Sequence, residues 1–250
     1  MNKTILLGVV LLTLITSSCQ FNQSVNKDLT TGAYYRGDGI GTDNLAIEVN
    51  GEIENRNTFI YGEKVNFIFN HVNGLTKENG KVYAGLSMDI VKNKKDTVLS
   101  HHDLLKNIKE GIDQSPLQLQ AHFIAALPFK NQEEYKVFIK VWDKKGDGTF
   151  SYEMPFTVEE NKLLQINSNG LQYSNMYLWD QTEKLVVSTK NIKSKNQIIL
   201  LFEGLTGFEK IDNKVHPILS IDVTDNQGNK IISEANILKE YEELGINAEE

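Results

Sequence analysis

Apolar and polar residues alternate along most of the chain from Asn44 onward. The clearest alternating runs span residues 45–49, 65–69, 86–90, 135–141 and 150–158. Successive side chains of a β-strand point to opposite faces, so each run predicts a strand with one buried and one solvated face. Asn-Gly pairs and other glycine-containing turns separate the runs. This arrangement predicts short strands joined as an antiparallel sandwich or barrel.

One segment has the pattern of a helix instead. Ser100 fits an N-cap position, and Asp103 follows three residues later, as in a capping box. Leu104, Leu105 and Ile108 then recur at helical spacing. The sequence therefore predicts a short helix that starts at Ser100.

The chain also repeats part of its own sequence with an offset of 133 residues, the difference between 89 and 222. The paired segments are 74–76 with 204–206, 86–90 with 219–223, 97–100 with 230–233, and the helix start with 236–239. The first pair lies three residues out of step with the others, which predicts an insertion between them. Self-similarity of this kind indicates one supersecondary plan used twice.

Two short motifs resemble those of a known class of β-sandwich. Residues 61–65, Tyr-Gly-Glu-Lys-Val, resemble a shortened Tyr-x-x-Gly-Glu-x-Val strand entry of bacterial Ig-like and macroglobulin-type modules. Trp142 and Asp143, which close a run before a glycine turn, are similar to the penultimate hairpin of these modules. The resemblance implies a mainly β fold of two tandem Ig-like antiparallel β-sandwich domains, each with one short helix. We expect the first domain over residues 42–158 and the second over 161–250.

The second copy is expected to lack its last strands. After its helix at residues 236–243, it has no counterpart of residues 117–129, 135–142 and 150–158. A sandwich without these strands exposes unpaired backbone groups and apolar side chains, so we expect an open sheet edge in the second half. Three explanations are left open: a truncated product, a reduced sheet packed on the first domain, or strands donated by another chain.

The repeat further predicts which side chains are buried. Met88 and Ile221 are expected to be buried at matching positions, and Asp89 and Asp222 are expected to be exposed. The reason is the side-chain period of two, because one inward residue fixes the whole face of its strand.

The N-terminus resembles the lipobox signal of bacterial envelope lipoproteins. Lys3 precedes an apolar run over residues 4–15, and small residues lead from Thr16 to Cys19. The run is too short for a stable membrane span and fits a secretory signal peptide over residues 1–18. The resemblance implies that Cys19 is lipidated through its sulfur, although Thr16 stands where Leu is usual. A secretory signal with an incidental cysteine is the alternative.

A lipidated Cys19 would attach the protein to the lipid of a bacterial membrane in the cell envelope. The outer membrane is favoured, with the body periplasmic or surface-exposed. Polar residues without periodicity predict a flexible tether over residues 19–41. Because Cys19 is the only cysteine, no intrachain disulfide is expected, and apolar packing must stabilise the folded body.

Composition and motifs argue against several classes of function. A formal charge of −7 with scattered lysines disfavours nucleic acid, whose phosphates require clustered basic residues. No Gly-x-Ser-x-Gly elbow is present. His101, His102 and Asp103 are adjacent, so they cannot share one helix face as zinc-protease ligands do. Residues 143–148 resemble a calcium loop but fit a hairpin turn better. No catalytic, cofactor-binding or metal-binding residue is predicted.

These observations favour a non-enzymatic, lipid-anchored envelope protein that acts as a protein-interaction or spacer module. The expected partner is an envelope protein or a glycan. The alternative is a glycan- or polymer-binding accessory lipoprotein, in which Tyr34, Tyr35, Trp142 and Trp179 form a stacking platform. An unrecognised hydrolase is the third hypothesis, and it requires a pocket in which carboxylates or histidines have perturbed pKa values.

Overall fold

The computed structural model describes residues 23–113, 116–126, 128–130 and 133–247. The signal peptide predicted over residues 1–18 and the predicted lipid attachment at Cys19 lie outside the described residues. We refer to residues 23–159 as the first half and to residues 161–247 as the second half.

The strands of the first half follow the predicted alternation. In chain order they are β1 (Gln23–Lys27), β2 (Tyr34–Asp38), β3 (Asn44–Val49), β4 (Glu52–Glu54), β5 (Thr58–Ile60), β6 (Lys64–Asn70), β7 (Lys77–Glu78), β8 (Lys81–Val82), β9 (Ala84–Lys92), β10 (Asp96–His101), β11 (Ile112–Asp113), β12 (Leu119–Ile124), β13 (Glu134–Asp143) and β14 (Thr149–Glu159). The five alternating runs coincide with β3, β6, β9, β13 and β14, so these strand predictions are confirmed.

Two sheets of the first half pack face to face. One has the order β1-β2-β14-β13-β9-β10, with β5 added in parallel to β14, and the other has the order β12-β6-β3-β4. Aromatic rings from the two sheets meet between them. The ring centroids of Phe67 and Tyr152 are 5.5 Å apart, and those of Phe69 and Phe150 are 5.9 Å apart. The first half is therefore a sandwich around one apolar core.

The core of the first half is supplied by alternate positions of its strands. In β13, Tyr135, Val137, Ile139 and Val141 are buried, while the residues between them are exposed or half-buried. Burying one aliphatic side chain contributes roughly 1.5–3 kcal/mol relative to leaving it in water. The alternation therefore selects which face of each strand points inward.

The second half consists of smaller sheets. Its strands are β15 (Asn175–Asp180), β16 (Leu185–Val186), β17 (Ile198–Glu203), β18 (Lys214–Val215), β19 (Ile221–Thr224), β20 (Lys230–Glu234) and β21 (Ile246–Asn247), and helix α1 (Lys239–Leu244) precedes β21. They form the antiparallel sheets β16-β15-β17, β18-β21 and β19-β20. The chain is thus mainly β, with several antiparallel sheets. Across its described part, no helix is long and apolar enough to cross a membrane.

The helix predicted to start at Ser100 is not formed. Ser100 lies in β10, and its hydroxyl donates a 2.6 Å hydrogen bond to Asp89 of β9. The carboxylate of Asp103 accepts the backbone N–H of Leu105 at 2.9 Å and closes only a turn. The prediction is wrong because strand partners engage the groups that would cap a helix. The corresponding helix of the second half does form, as α1 from Lys239.

The tether predicted over residues 19–41 is too long. From Gln23 onward the chain forms β1 and β2, and β2 pairs with β14. The ring of Tyr35 lies 5.9 Å from that of Phe150, so this segment packs against the sandwich. The prediction misses these strands because Tyr34–Asp38 has no period-two pattern, and its apolar partner is distant in sequence.

Candidate functional site: the open strand edges of the second half

The ladder between β19 and β20 has the same contacts as the ladder between β9 and β10. The hydroxyl of Ser100 donates a 2.6 Å hydrogen bond to Oδ1 of Asp89, and Ser233 donates a bond of the same length to Oδ1 of Asp222. In both ladders the serine lies directly opposite the aspartate. The two ladders therefore share their register as well as this cross-strand hydrogen bond.

The turn that follows each ladder is also built alike. Oδ1 of Asp103 accepts backbone N–H bonds from Leu86 at 3.4 Å and from Leu105 at 2.9 Å. At the equivalent position, Oδ1 of Asn236 accepts two backbone N–H bonds at 3.3 and 2.8 Å. Asp103 also forms a 2.7 Å ion pair with Lys144. Burial acts to raise the pKa of Asp103, but Lys144 and the N–H bonds hold that pKa below its ordinary value.

A glycine in each half fixes how the repeated segments align. Gly74 and Gly207 have positive φ angles of 85° and 91°. Each packs so closely on a backbone carbonyl oxygen, of Gly39 and Gly170 respectively, that a Cβ atom would overlap it. Gly74 therefore corresponds to Gly207, and the offset of 133 holds without the predicted insertion. The pairing with Gly204 followed identical letters, whereas the shared backbone conformation lies three residues later.

The two ladders differ in what lies beside them. β9 pairs with β13 as well as with β10, so that Met88 lies opposite Ile139 and Ile90 opposite Val137. In the part of the second half that the structure describes, β19 pairs with β20 alone. Its other edge therefore presents backbone N–H and C=O groups without a neighbouring strand.

Apolar side chains that are buried in β9 are exposed in β19. Met88 and Ile90 are 0% exposed, whereas Ile221 and Val223, at the equivalent positions, are 41% and 38% exposed. The predicted burial of Ile221 is wrong, although Asp222 is exposed as predicted. The register is not the cause, because both ladders share it. Ile221 is exposed because β19 has no counterpart of β13 within the described residues.

A second strand edge is open in the same way. β6 lies between β3 and β12, whereas β17, at the equivalent place, pairs only with β15 in the described structure. Phe67 of β6 is fully buried, but Leu200, 133 residues later in β17, is 43% exposed. We refer to the free edges of β17 and β19 as the open edges. They correspond to the edges that β12 and β13 occupy in the first half.

Charge is kept off the apolar face of β19. Asp222 lies between Ile221 and Val223 in sequence and so points to the opposite face. There it binds the hydroxyl of Ser233 and forms a 3.0 Å ion pair with Lys230. Ser233 and Lys230 lower the pKa of Asp222, so the carboxylate is ionised at neutral pH. An apolar row beside backbone groups that lack a strand partner suits strand pairing rather than acid–base chemistry.

The histidines considered as metal ligands are not gathered into a site. His101 ends β10, and His102 follows it in a bend. The adjacent Asp103 is already engaged by backbone N–H groups and by Lys144. Among the described residues, no group of three or more His, Cys, Asp or Glu side chains could hold a metal ion.

Residues 143–148 form a hairpin turn between β13 and β14. The backbone N–H of Asp143 donates to the carbonyl of Gly148 at 2.9 Å. The Asp143 carboxylate accepts N–H bonds from Thr76 at 2.7 Å and from Lys145 at 2.9 Å. Burial acts to raise the pKa of Asp143, but these N–H bonds lower it below its ordinary value. Asp143 thus stabilises the turn.

The aromatic residues predicted as a stacking platform lie on three different strands. Tyr34 and Tyr35 are neighbours in β2, so their side chains point to opposite faces. Trp142 lies opposite Gly85 in the β13–β9 ladder, and a Cβ atom on Gly85 would fall 2.0 Å from its ring. Nε1 of Trp179 in β15 donates to a glutamine at 3.0 Å. These rings are used separately, in packing and local hydrogen bonds.

A cleft of about 430 Å³ lies where the two halves meet. On one wall, the guanidinium of Arg56 donates two 2.9 Å hydrogen bonds to the buried carboxylate of Glu63. On the other, Lys193 lowers the pKa of Glu183, with which it pairs at 2.7 Å. Burial acts to raise the pKa of Asp180, but the backbone N–H of Glu183 and an asparagine side chain lower it. These acidic groups are ionised and paired, which does not suit a general acid.

The halves are joined by residues that the sequence did not single out. The hydroxyl of Tyr61 donates a 2.7 Å hydrogen bond to Oε2 of Glu203, and that of Tyr177 donates to Oε1 at 3.1 Å. The rings of Tyr61 and Tyr177 lie 5.5 Å apart. Hydrogen bonding to Glu203 acts with burial to raise the pKa of Tyr177. No local pattern identifies this trio, because its members belong to three distant segments.

The chain matches no protein-family model, and a search of the curated proteins gives no match either. The covered strands of the first half therefore provide the reference against which the open edges of the second half are interpreted.

Proposed function

We propose that this protein is a non-enzymatic, lipid-anchored component of a bacterial cell envelope, with two tandem Ig-like β-sandwich units. The second unit is the protein-interaction unit, and the first supports it. One observation carries this proposal: Ile221 and Val223 are 41% and 38% exposed on a strand whose counterpart in the first half is fully buried. Exposed apolar rows of this kind mark interaction sites in soluble proteins.

The location of the protein rests on its N-terminal sequence. A positive start, a short apolar run and small residues before Cys19 form a lipobox-like signal. Cleavage before Cys19 and lipidation of its sulfur would tie the body to the outer membrane. Because the first half is ordered from Gln23 onward, the tether between lipid and body would be short.

The junction supports a role in which the two units are held in one arrangement. Glu203 accepts hydrogen bonds from Tyr61 and Tyr177, one on each carboxylate oxygen. A further 2.6 Å bond runs from Nδ2 of Asn161 to the carbonyl of Val187. A spacer that presents an interaction unit at a fixed distance from a membrane requires such contacts.

Two measurements test the proposal. We expect wild-type protein in the detergent phase of a partition experiment, and the Cys19→Ser variant in the aqueous phase or as an uncleaved precursor. Ser24→Ala, which leaves Cys19 in place, is the control. Equal partition of wild type and Cys19→Ser would contradict the anchor.

The second measurement tests the interaction. A photo-crosslinking residue is introduced at position 223 of the second half or at position 53 of the first half, in intact cells. Ile53 is 65% exposed on β4, so it controls for non-specific contact. We expect a discrete adduct from position 223 only. No adduct from position 223, or the same adducts from both positions, would contradict the interaction role.

A further inference from the structure

We infer that the open edge of β19 binds an extended segment of another protein, which adds to β19 as an antiparallel strand in the way that β13 adds to β9. The inference rests on the proposed role of the second half as the interaction unit, and it names the class of partner. The partner segment carries apolar side chains at every second position.

The first half contains the template for this complex. In the β13–β9 ladder, Val137 lies opposite Ile90 and Ile139 opposite Met88. All four of these residues are buried. β19 offers the same register against β20 as β9 offers against β10. A strand with the apolar spacing of β13 would therefore place its side chains beside Ile221 and Val223.

The geometry of the edge favours a strand over a helix as the occupant. Ile221 and Val223 are two residues apart in β19, so they are separated by roughly 6.6 Å along the strand. A helix presents its apolar residues three and four positions apart and cannot pair with the backbone groups of the edge. An added strand satisfies both features, since its main chain pairs with the edge and its alternate side chains cover the apolar row.

A second copy of this chain is a poor donor. The strands with the required alternation, β12, β13 and β14, are paired in the first half with β6, β9 and β2. Donating one of them would uncover buried side chains such as Phe123 and Ile139. Donation would thus expose as much apolar surface as it covers. The occupant is therefore assigned to a different protein.

The partner's composition follows from the template. Positions that face Ile221 and Val223 require aliphatic residues, as Val137 and Ile139 do in β13. Proline is excluded where the segment must donate an N–H to the edge. The positions between face the side of Asp222, which is solvated and tolerates polar residues.

The probe for the test is a synthetic peptide with the sequence of residues 134–143, Glu-Tyr-Lys-Val-Phe-Ile-Lys-Val-Trp-Asp. It is titrated against the purified full chain carrying Cys19→Ser, and fluorescence anisotropy of the labelled peptide reports binding. Hydrogen exchange reports the amides of residues 221–224. We expect saturable binding together with slower exchange of these amides. A peptide with serine in place of Val137 and Ile139 should not bind.

Substitution of the edge gives the matched comparison. The double variant Ile221→Lys and Val223→Lys should weaken peptide binding by at least about tenfold, because it removes the apolar row that the peptide covers. Ile53→Lys, the same change at an exposed isoleucine of β4, should leave binding unchanged. Exchange in β15 and β17 shows whether the double variant keeps its fold. The protection of wild-type residues 221–224 by the peptide tests the inference without any substitution in β19.

Three results would overturn the inference. One is no saturable binding, and another is binding that leaves residues 221–224 unprotected. The third is a dimer of the full chain that the double variant converts to a monomer, since a second copy would then be the occupant. If the peptide does not bind but position 223 still gives a discrete adduct in cells, strand addition fails while the proposed interaction role stands.

Discussion

Asn236 occupies in the second half the position that Asp103 occupies in the first, and both side chains accept two backbone N–H bonds through Oδ1. The two residues differ only in the ion pair that Asp103 adds with Lys144. An amide thus closes this turn as well as a carboxylate does. The turn depends on the acceptor oxygen rather than on the charge.

This equivalence predicts the outcome of substitution at Asp103. Asp103→Asn should keep both N–H bonds and lose only the ion pair, at a cost of less than about 1 kcal/mol. Asp103→Ala should lose the acceptor as well, at a cost of about 0.5–2 kcal/mol by analogy with a lost cap. Urea denaturation of the two variants provides the measurement. An alanine variant as stable as the asparagine variant would show that the acceptor contributes nothing.

The junction between the halves gives a second prediction. Tyr61→Phe keeps the ring that packs against Tyr177 but removes the hydrogen bond to Glu203. Because the acceptor is a carboxylate, the loss should destabilise the junction by about 1.5–3 kcal/mol. We expect a lower thermal midpoint for the second half and a changed small-angle scattering profile. Tyr61→Phe with an unaltered profile and midpoint would mean that other contacts hold the halves.

Asp143 should make the stability of the first half depend on acid pH. Its pKa in the folded protein lies below the ordinary value of 3.8, because the N–H groups of Thr76 and Lys145 outweigh the effect of burial. A lowered folded-state pKa contributes stability that is present above the unfolded-state value and is lost as the pH falls through the folded-state pKa.

The free energy of unfolding should therefore fall as the pH drops below about 4, near the ordinary pKa of an aspartate. Asp143→Asn should be less stable than wild type at pH 7 but should lose less stability on acidification. Asp147→Asn, in the exposed part of the same turn, serves as the control and should keep the wild-type pH dependence. Guanidinium unfolding curves between pH 7 and pH 3 test this, and parallel curves for wild type and Asp143→Asn would refute it.

The ion pair in the cleft provides the fourth prediction. The side chain of Glu63 is 1% exposed, and it accepts two hydrogen bonds from Arg56 and one from the backbone N–H of Ile60. Arg56→Met would leave a buried charge without its partner and should cost about 3–5 kcal/mol.

The matched variant is the double substitution Arg56→Met and Glu63→Gln, which removes both charges. It should recover a large part of the lost stability, because no isolated charge remains. Chemical denaturation of the single and double variants gives the coupling energy. Additive effects in the two variants would show that the pair is not coupled.

Local patterns were sufficient to predict most strands of the first half. The period of two in residues 86–90 identified β9 and its buried residues Met88 and Ile90. The same pattern in residues 219–223 gave the right strand but the wrong burial for Ile221. Alternation says which side chains share a face, while burial depends on partners such as β13 that are distant in sequence.

Two other predictions failed for the same physical reason. The capping pattern at Ser100 is local, but its hydroxyl binds Asp89 across the ladder instead. The polar segment from Tyr34 to Asp38 has no alternation, yet it pairs with β14. In both cases a long-range strand contact outweighed the local preference. Tyr61 and Glu203 could not be linked from the sequence, because nothing in either local segment indicates the other.

The paired serine–aspartate bonds make this molecule its own reference for a physical measurement. The bond from Ser100 to Asp89 has Phe138 of β13 opposite the aspartate on its far side, whereas the bond from Ser233 to Asp222 has water there. Both bonds span 2.6 Å in the same register, so their difference in strength isolates the effect of one flanking strand. Two thermodynamic cycles in a single polypeptide would thus measure how screening by solvent weakens a cross-strand hydrogen bond.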